Sequence, residues 1–187
     1  MTARALLLAA LALPGPALAQ AGSDVAATQT LLGGVAPPVC RIGAPQVLSS
    51  QNATFQSGSE SSGQVSISQL SDLQTGAALP SRIALSFPAI CNHTHLLVVR
   101  SAQGGLARLE GPAGGDFASR VDYRLAARWA GASGAADLAG APQSFALSVA
   151  DGADGFIELD LQAPGGGPSL VAGTYQDQVV VEFTAAP

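Results

Sequence analysis

The sequence predicts an all-β protein built as an antiparallel sandwich, and three observations carry that expectation. Short runs with a two-residue apolar period recur along the chain, clusters of Gly, Pro and Ser separate them, and no convincing amphipathic helix interrupts them. The final run is the most informative. Gly173 supplies a turn, and Val179, Val181 and Phe183 then share one face while Gln178, Val180 and Glu182 share the other. Only four residues follow Phe183, so an outer neighbour for this strand must come from an earlier part of the chain or from another molecule.

Taken in order, Arg4 near the N-terminus precedes an apolar run from Ala5 to Leu13, a Pro-Gly-Pro break and the small-residue site Ala17-Leu18-Ala19. This is the pattern of a secretory signal peptide over residues 1–19, and the run is too short to span a bilayer. No later apolar stretch reaches spanning length, so no membrane span is expected. Residues 20–36 form an N-terminal extension in which Val25, Ala27, Leu31 and Val35 fall on one parity, interrupted by Gln29 and Gly33. They read as a weak alternating strand or as a flexible leader. Pro37-Pro38 stops regular pairing, and residues 37–187 make up one domain.

Within that domain, residues 49–64 are polar and Ser-rich, which predicts a surface loop around a short edge strand at Phe55. Val65–Ser68 alternates briefly, and Ile83, Leu85 and Phe87 line one face of a longer strand. Leu96 to Val99 is apolar throughout and predicts a strand buried on both sides. Ser101-Ala102-Gln103-Gly104-Gly105 is a turn. The cleanest pattern sets Val121, Tyr123, Leu125, Ala127 and Trp129 against Asp122, Arg124, Ala126 and Arg128. Propensity alone allows a helix there, but the period of two argues for a strand. Residues 143–149 and 156–162 alternate on either side of Asp151-Gly152 and Asp154-Gly155, which predicts a hairpin. In all, eight or nine short strands are expected.

Composition narrows the function. The chain has no Lys, 11% charged residues and a formal charge of −5, so it offers no basic footprint for nucleic acid or an anionic membrane. Cys40 and Cys91 are its two cysteines, and an oxidising compartment makes a disulfide the default, with a pair of buried thiols as the competing reading. Closing that loop of about 50 residues removes unfolded-state entropy worth roughly 4 kcal/mol. His93 and His95 would share a face in a strand, but no third metal donor lies in their segment, and neither a nucleophile elbow nor an acid–base set appears. No catalytic residue, metal or cofactor is therefore expected. Asn52-Ala53-Thr54 and Asn92-His93-Thr94 match the glycosylation sequon. Tyr123 and Trp129 read as core rather than as a sugar-stacking platform, and Asp177 should cap a turn or face a polar partner.

These features together resemble one family. Cys40 after an alternating leader, Cys91-Asn92 before an apolar strand, the run Ser101 to Leu106, the strand from Val121 to Leu125 and the closing Ala172-Gly173-Thr174-Tyr175-Gln176-Asp177 are similar to the spore coat protein U-like domain, which includes subunits of archaic chaperone-usher pili. The resemblance implies an incomplete immunoglobulin-like sandwich lacking its last strand and stabilised by a disulfide. It implies a structural subunit of a cell-surface pilus or coat that passes through the periplasm. A periplasmic chaperone would fill its groove first, and after an usher step the extension of another subunit would replace it, by strand addition to an open edge. On this resemblance Val25, Ala27, Leu31 and Val35 are the inserted side chains, and the strand bearing Val179, Val181 and Phe183 forms one wall of the groove. The alternatives are a pilus-tip adhesin or a stand-alone secreted binding module; a secreted hydrolase ranks behind both.

Overall fold

Where the sequence alternates with a period of two, the chain is extended and buries one face. Tyr123, Leu125, Ala127 and Trp129 are buried, whereas Arg124 and Arg128 between them are exposed, so the helical alternative for this segment does not form. The structure, a computed structural model, describes residues 33–58, 62–112 and 114–186. The chain divides into two units, Met1–Val35 and Ala36–Pro187. The segment expected as a signal peptide, and Val25, Ala27 and Leu31 of the extension, lie outside the described residues. Val35 is described, belongs to no regular element and is 96% exposed.

The second unit is an all-β antiparallel sandwich. Its strands are β1 (Cys40–Ile42), β2 (Gln46–Gln51), β3 (Ala53–Ser57), β4 (Gly63–Ile67), β5 (Ser81–Cys91), β6 (His95–Ser101) and β7 (Leu106–Arg108). There follow β8 (Arg120–Val121), β9 (Tyr123–Trp129), β10 (Ala132–Leu138), β11 (Gln143–Val149), β12 (Ala153–Ala163), β13 (Tyr175–Gln176) and β14 (Val179–Ala185). No helix among the described residues is long and apolar enough to cross a membrane.

The larger sheet runs β1-β5-β12-β9-β10, with β2 also paired to β5, and the smaller runs β11-β6-β14. Ile83, Leu85, Leu125, Trp129, Ile157 and Leu159 from the first sheet meet Leu97, Val99 and Leu147 from the second in the core. Strand β6 alternates rather than being buried on both sides: Leu97 and Val99 are fully buried, while Leu96 and Val98 are half-buried. The short strand expected at Phe55 within the Ser-rich segment forms, as β3. The segment also contributes the end of β2, which carries a bulge between Val47 and Ser49, and the start of β4, which pairs with β3 as a hairpin.

The expected hairpin of residues 143–149 and 156–162 does not form. Strand β11 pairs with β6 in one sheet, and β12 pairs with β5 and β9 in the other. Residues 150–152 therefore arch across the core. A turn dipeptide reverses the chain in either case; what decides between hairpin and arch is which register buries the apolar parity, and here Leu147 and Ile157 are both buried, in different sheets. A second arch, residues 92–94, joins β5 to β6 directly alongside. Thr94 Oγ1 donates to the Ala150 carbonyl at 2.6 Å, and a Cβ on Gly152 would lie 3.0 Å from the Asn92 backbone, a tight contact that a side chain there would have to push apart.

Candidate functional site

Strand β14 is the edge of the smaller sheet, and β6 is its sole ladder partner among the described residues. Val179, Val181 and Phe183 stand opposite Ser101, Val99 and Leu97, all buried, so their side chains point into the sandwich. Yet each of the three is only half-buried. A core-facing strand with incomplete cover and an unpaired edge is one that another strand can complete.

The opposite wall belongs to the larger sheet. Ile42 of β1 pairs with Ala89 and is half-buried, and β1 lies against β14. Val47 of β2 pairs with Leu85, which faces the core, and so shares the inward side of the sheet. It is nevertheless 45% exposed. The floor beneath β14 is aromatic: the Phe183 ring lies 5.0 Å from His95 and 5.5 Å from Trp129 between centroids.

His95 is not a metal ligand in waiting. Trp129 Nε1 donates to His95 Nε2 at 2.8 Å, and His95 Nδ1 donates to the His93 carbonyl at 2.6 Å, so both ring nitrogens of this fully buried imidazole are engaged and it is neutral. The parity argument placed His93 and His95 on one face. The structure separates them, because His93 sits in the arch and stays half-buried. The Trp129–His95 pair was not visible in the sequence, since the two residues come from different sheets.

At the other end of β14, Asp177 holds the polar rim. Its Oδ2 accepts from Ser101 Oγ at 2.5 Å, Tyr123 OH at 2.8 Å and Gly105 N at 3.3 Å, and its Oδ1 accepts from Gln103 N at 2.8 Å and Gln178 N at 2.7 Å. One carboxylate thus both caps the 101–105 turn and faces a buried phenol. Gly104 must be glycine there: its φ is 66° and a Cβ would lie 1.7 Å from the Ala141 carbonyl oxygen.

Burial first, and then the hydrogen bond to Asp177, holds the Tyr123 hydroxyl protonated well above the usual phenol range. The folded state therefore keeps a proton that the unfolded chain releases near pH ~10. A group raised in this way contributes stability that is fully present below the unfolded value and is lost as pH rises toward the folded one. Denaturant midpoints measured between pH 8 and 12 are expected to fall above about pH 10, by up to roughly 1.4 kcal/mol per pH unit for one group. Tyr123→Phe should flatten that fall; an equally steep decline in the variant would remove Tyr123 as its source.

The disulfide Cys40–Cys91 ties β1 to β5 at a matched register position. Asn92 beside it fixes the entry of the chain into the sandwich. Its Oδ1 accepts from Val39 N at 2.8 Å, its Nδ2 donates to the Pro37 carbonyl at 3.0 Å, and its backbone N–H donates to the Val39 carbonyl at 3.0 Å. The other sequon amide, Asn52 Nδ2, donates to the Gln69 and Pro80 carbonyls at 2.7 and 3.2 Å. Both sequon side chains thus already hold backbone in place.

No family model, curated protein or solved structure matches the chain.

Proposed function

We propose that this chain is an exported structural subunit of a cell-surface pilus or coat, assembled when a strand from another molecule completes its open edge. The observation that carries this reading is the set of uncovered inward positions on two walls: Val47 on one, 45% exposed, and the half-buried Val181 and Phe183 on β14, whose outer edge has no ladder partner among the described residues. Main-chain groups along β14 would supply the hydrogen bonds, and alternate apolar side chains of the incoming strand would cover the core. Head-to-tail filling of this kind does not close on itself, so it propagates a fibre.

The segment proposed to donate is the N-terminal extension, with Val25, Ala27, Leu31 and Val35 as the inserted residues. In this reading the sandwich is immunoglobulin-like without its final strand, of the spore coat protein U-like kind, and a periplasmic chaperone covers the groove before an usher hands the subunit on. The adhesin alternative draws no support from Tyr123 and Trp129, which are buried and hydrogen-bonded to Asp177 and His95.

The test is an SDS gel of periplasmically exported protein, co-produced with its chaperone, comparing unheated with boiled samples. A ladder that collapses on boiling, and that disappears when residues 23–35 are deleted, is the expected result. A protease-resistant monomer in both lanes would overturn the reading.

A further inference from the structure

The Cys40–Cys91 disulfide has an imidazole beside it. His93 Nδ1 lies 3.9 Å from the Sγ of each cysteine, and one ligand atom from each of the three residues falls within 4.8 Å of the others. We propose that, when the disulfide is reduced, this corner binds Zn2+ through the Cys40 and Cys91 thiolates and His93 Nδ1, with the fourth position open to solvent.

The spacing suits that ion. Zinc about 2.3 Å from sulfur and about 2.1 Å from nitrogen in a tetrahedron sets its ligand atoms roughly 3.5–3.8 Å apart. The sulfur–nitrogen distances are close to this already, so only the two sulfurs need to part. The partial exposure of Cys40 and His93 leaves room for a water as the fourth ligand.

Three sets of contacts hold the ligands without help from the sulfur–sulfur bond. Gly43 N donates to the Pro88 carbonyl at 2.7 Å and Asn92 N to the Val39 carbonyl at 3.0 Å, bracketing the Cys40–Cys91 pair on both sides. Asn92 Oδ1 receives Val39 N. The His93 carbonyl accepts from the buried His95. Asn92 Oδ1 lies 3.4 Å from His93 Nδ1, a contact that this nitrogen gives up together with its proton when it takes the metal.

The chemistry balances with a phosphine as reductant. The phosphine gives two electrons to the disulfide and takes an oxygen from water to become its oxide, and the two water protons end on the thiols. Zinc then displaces both thiol protons to the buffer, so binding weakens as pH falls.

The experiment uses the full chain, reduced without oxygen by a phosphine and titrated with Co2+ as a coloured stand-in, then with Zn2+. One equivalent of Co2+ should produce a sulfur-to-cobalt charge-transfer band in the reduced chain and none in the oxidised chain, and Zn2+ should bleach it. His93→Ala should weaken Zn2+ binding at least about tenfold, the smaller end of what even an outer-shell partner contributes. The near-UV signal of Trp129 reports whether the fold survives reduction. Absence of the band, unchanged affinity in His93→Ala, or a Trp129 signal lost on reduction and not regained with metal would each overturn the proposal.

Discussion

Asp177→Ala is expected to destabilise the sandwich by about 2–4 kcal/mol, because it strands two buried hydroxyls at once. Ser101 and Tyr123 are both buried, and both donate to Asp177 Oδ2. The backbone donors of Gln103 and Gln178 are exposed enough to find water, so they add less. Equilibrium urea unfolding checks this, and the loss should appear as a lower midpoint with an unchanged slope. Tyr123→Phe removes one donor together with its need for an acceptor, so the double variant should lose less than the sum of the singles. A loss below about 0.5 kcal/mol, the range of an ordinary surface substitution, would show that the rim does not depend on this carboxylate.

The same residue shows what the sequence makes legible. Asp177 lies two residues ahead of β14 on the parity of its inward Val179, Val181 and Phe183, and a charge in that position demands a partner; parity announces the demand but not that Tyr123 and the 101–105 turn answer it. Strands β9, β12 and β14 were readable because one face of each is buried and the two-residue period is strong. Strand β10 was missed: Ala132, Gly134 and Ala136 carry too little apolar contrast to mark a face, and Gly134 is small because Phe145 and Leu147 crowd it. The arch between β11 and β12 was missed for another reason. Local turn chemistry is the same for a hairpin and an arch, and the choice is made by strands distant in sequence, β6 for one and β5 with β9 for the other.

The open edge was partly legible too. The position of Phe183 near the chain end raises the question of a missing neighbour, whereas Val47, between Pro45 and the Ser-rich run that begins at Ser49, stands in no alternating pattern that marks a face. Its inward register is fixed only by pairing with Leu85, ahead of the bulge that follows it.

Val47 therefore gives the sharpest test of how the edge is filled. Val47→Lys should abolish binding of a synthetic peptide spanning residues 23–35 to the chain lacking that segment, because an ammonium group would stand where the incoming strand must bury apolar side chains. The monomer should hardly notice. Val47 is already 45% exposed, so its lysine can reach water in the free subunit, and the stability change is expected to stay within about 0.5 kcal/mol. Val180→Lys is the matched control: it lies on the edge strand itself but on the outward parity, where a lysine meets solvent whether or not the edge is paired. Isothermal titration of the peptide into both variants separates the cases. Binding retained with lysine at 47 would mean that the strand does not cover this face of the core. Binding lost equally in both variants would mean that added charge, not position, disrupts it, and the groove would have to be sought elsewhere on the sandwich.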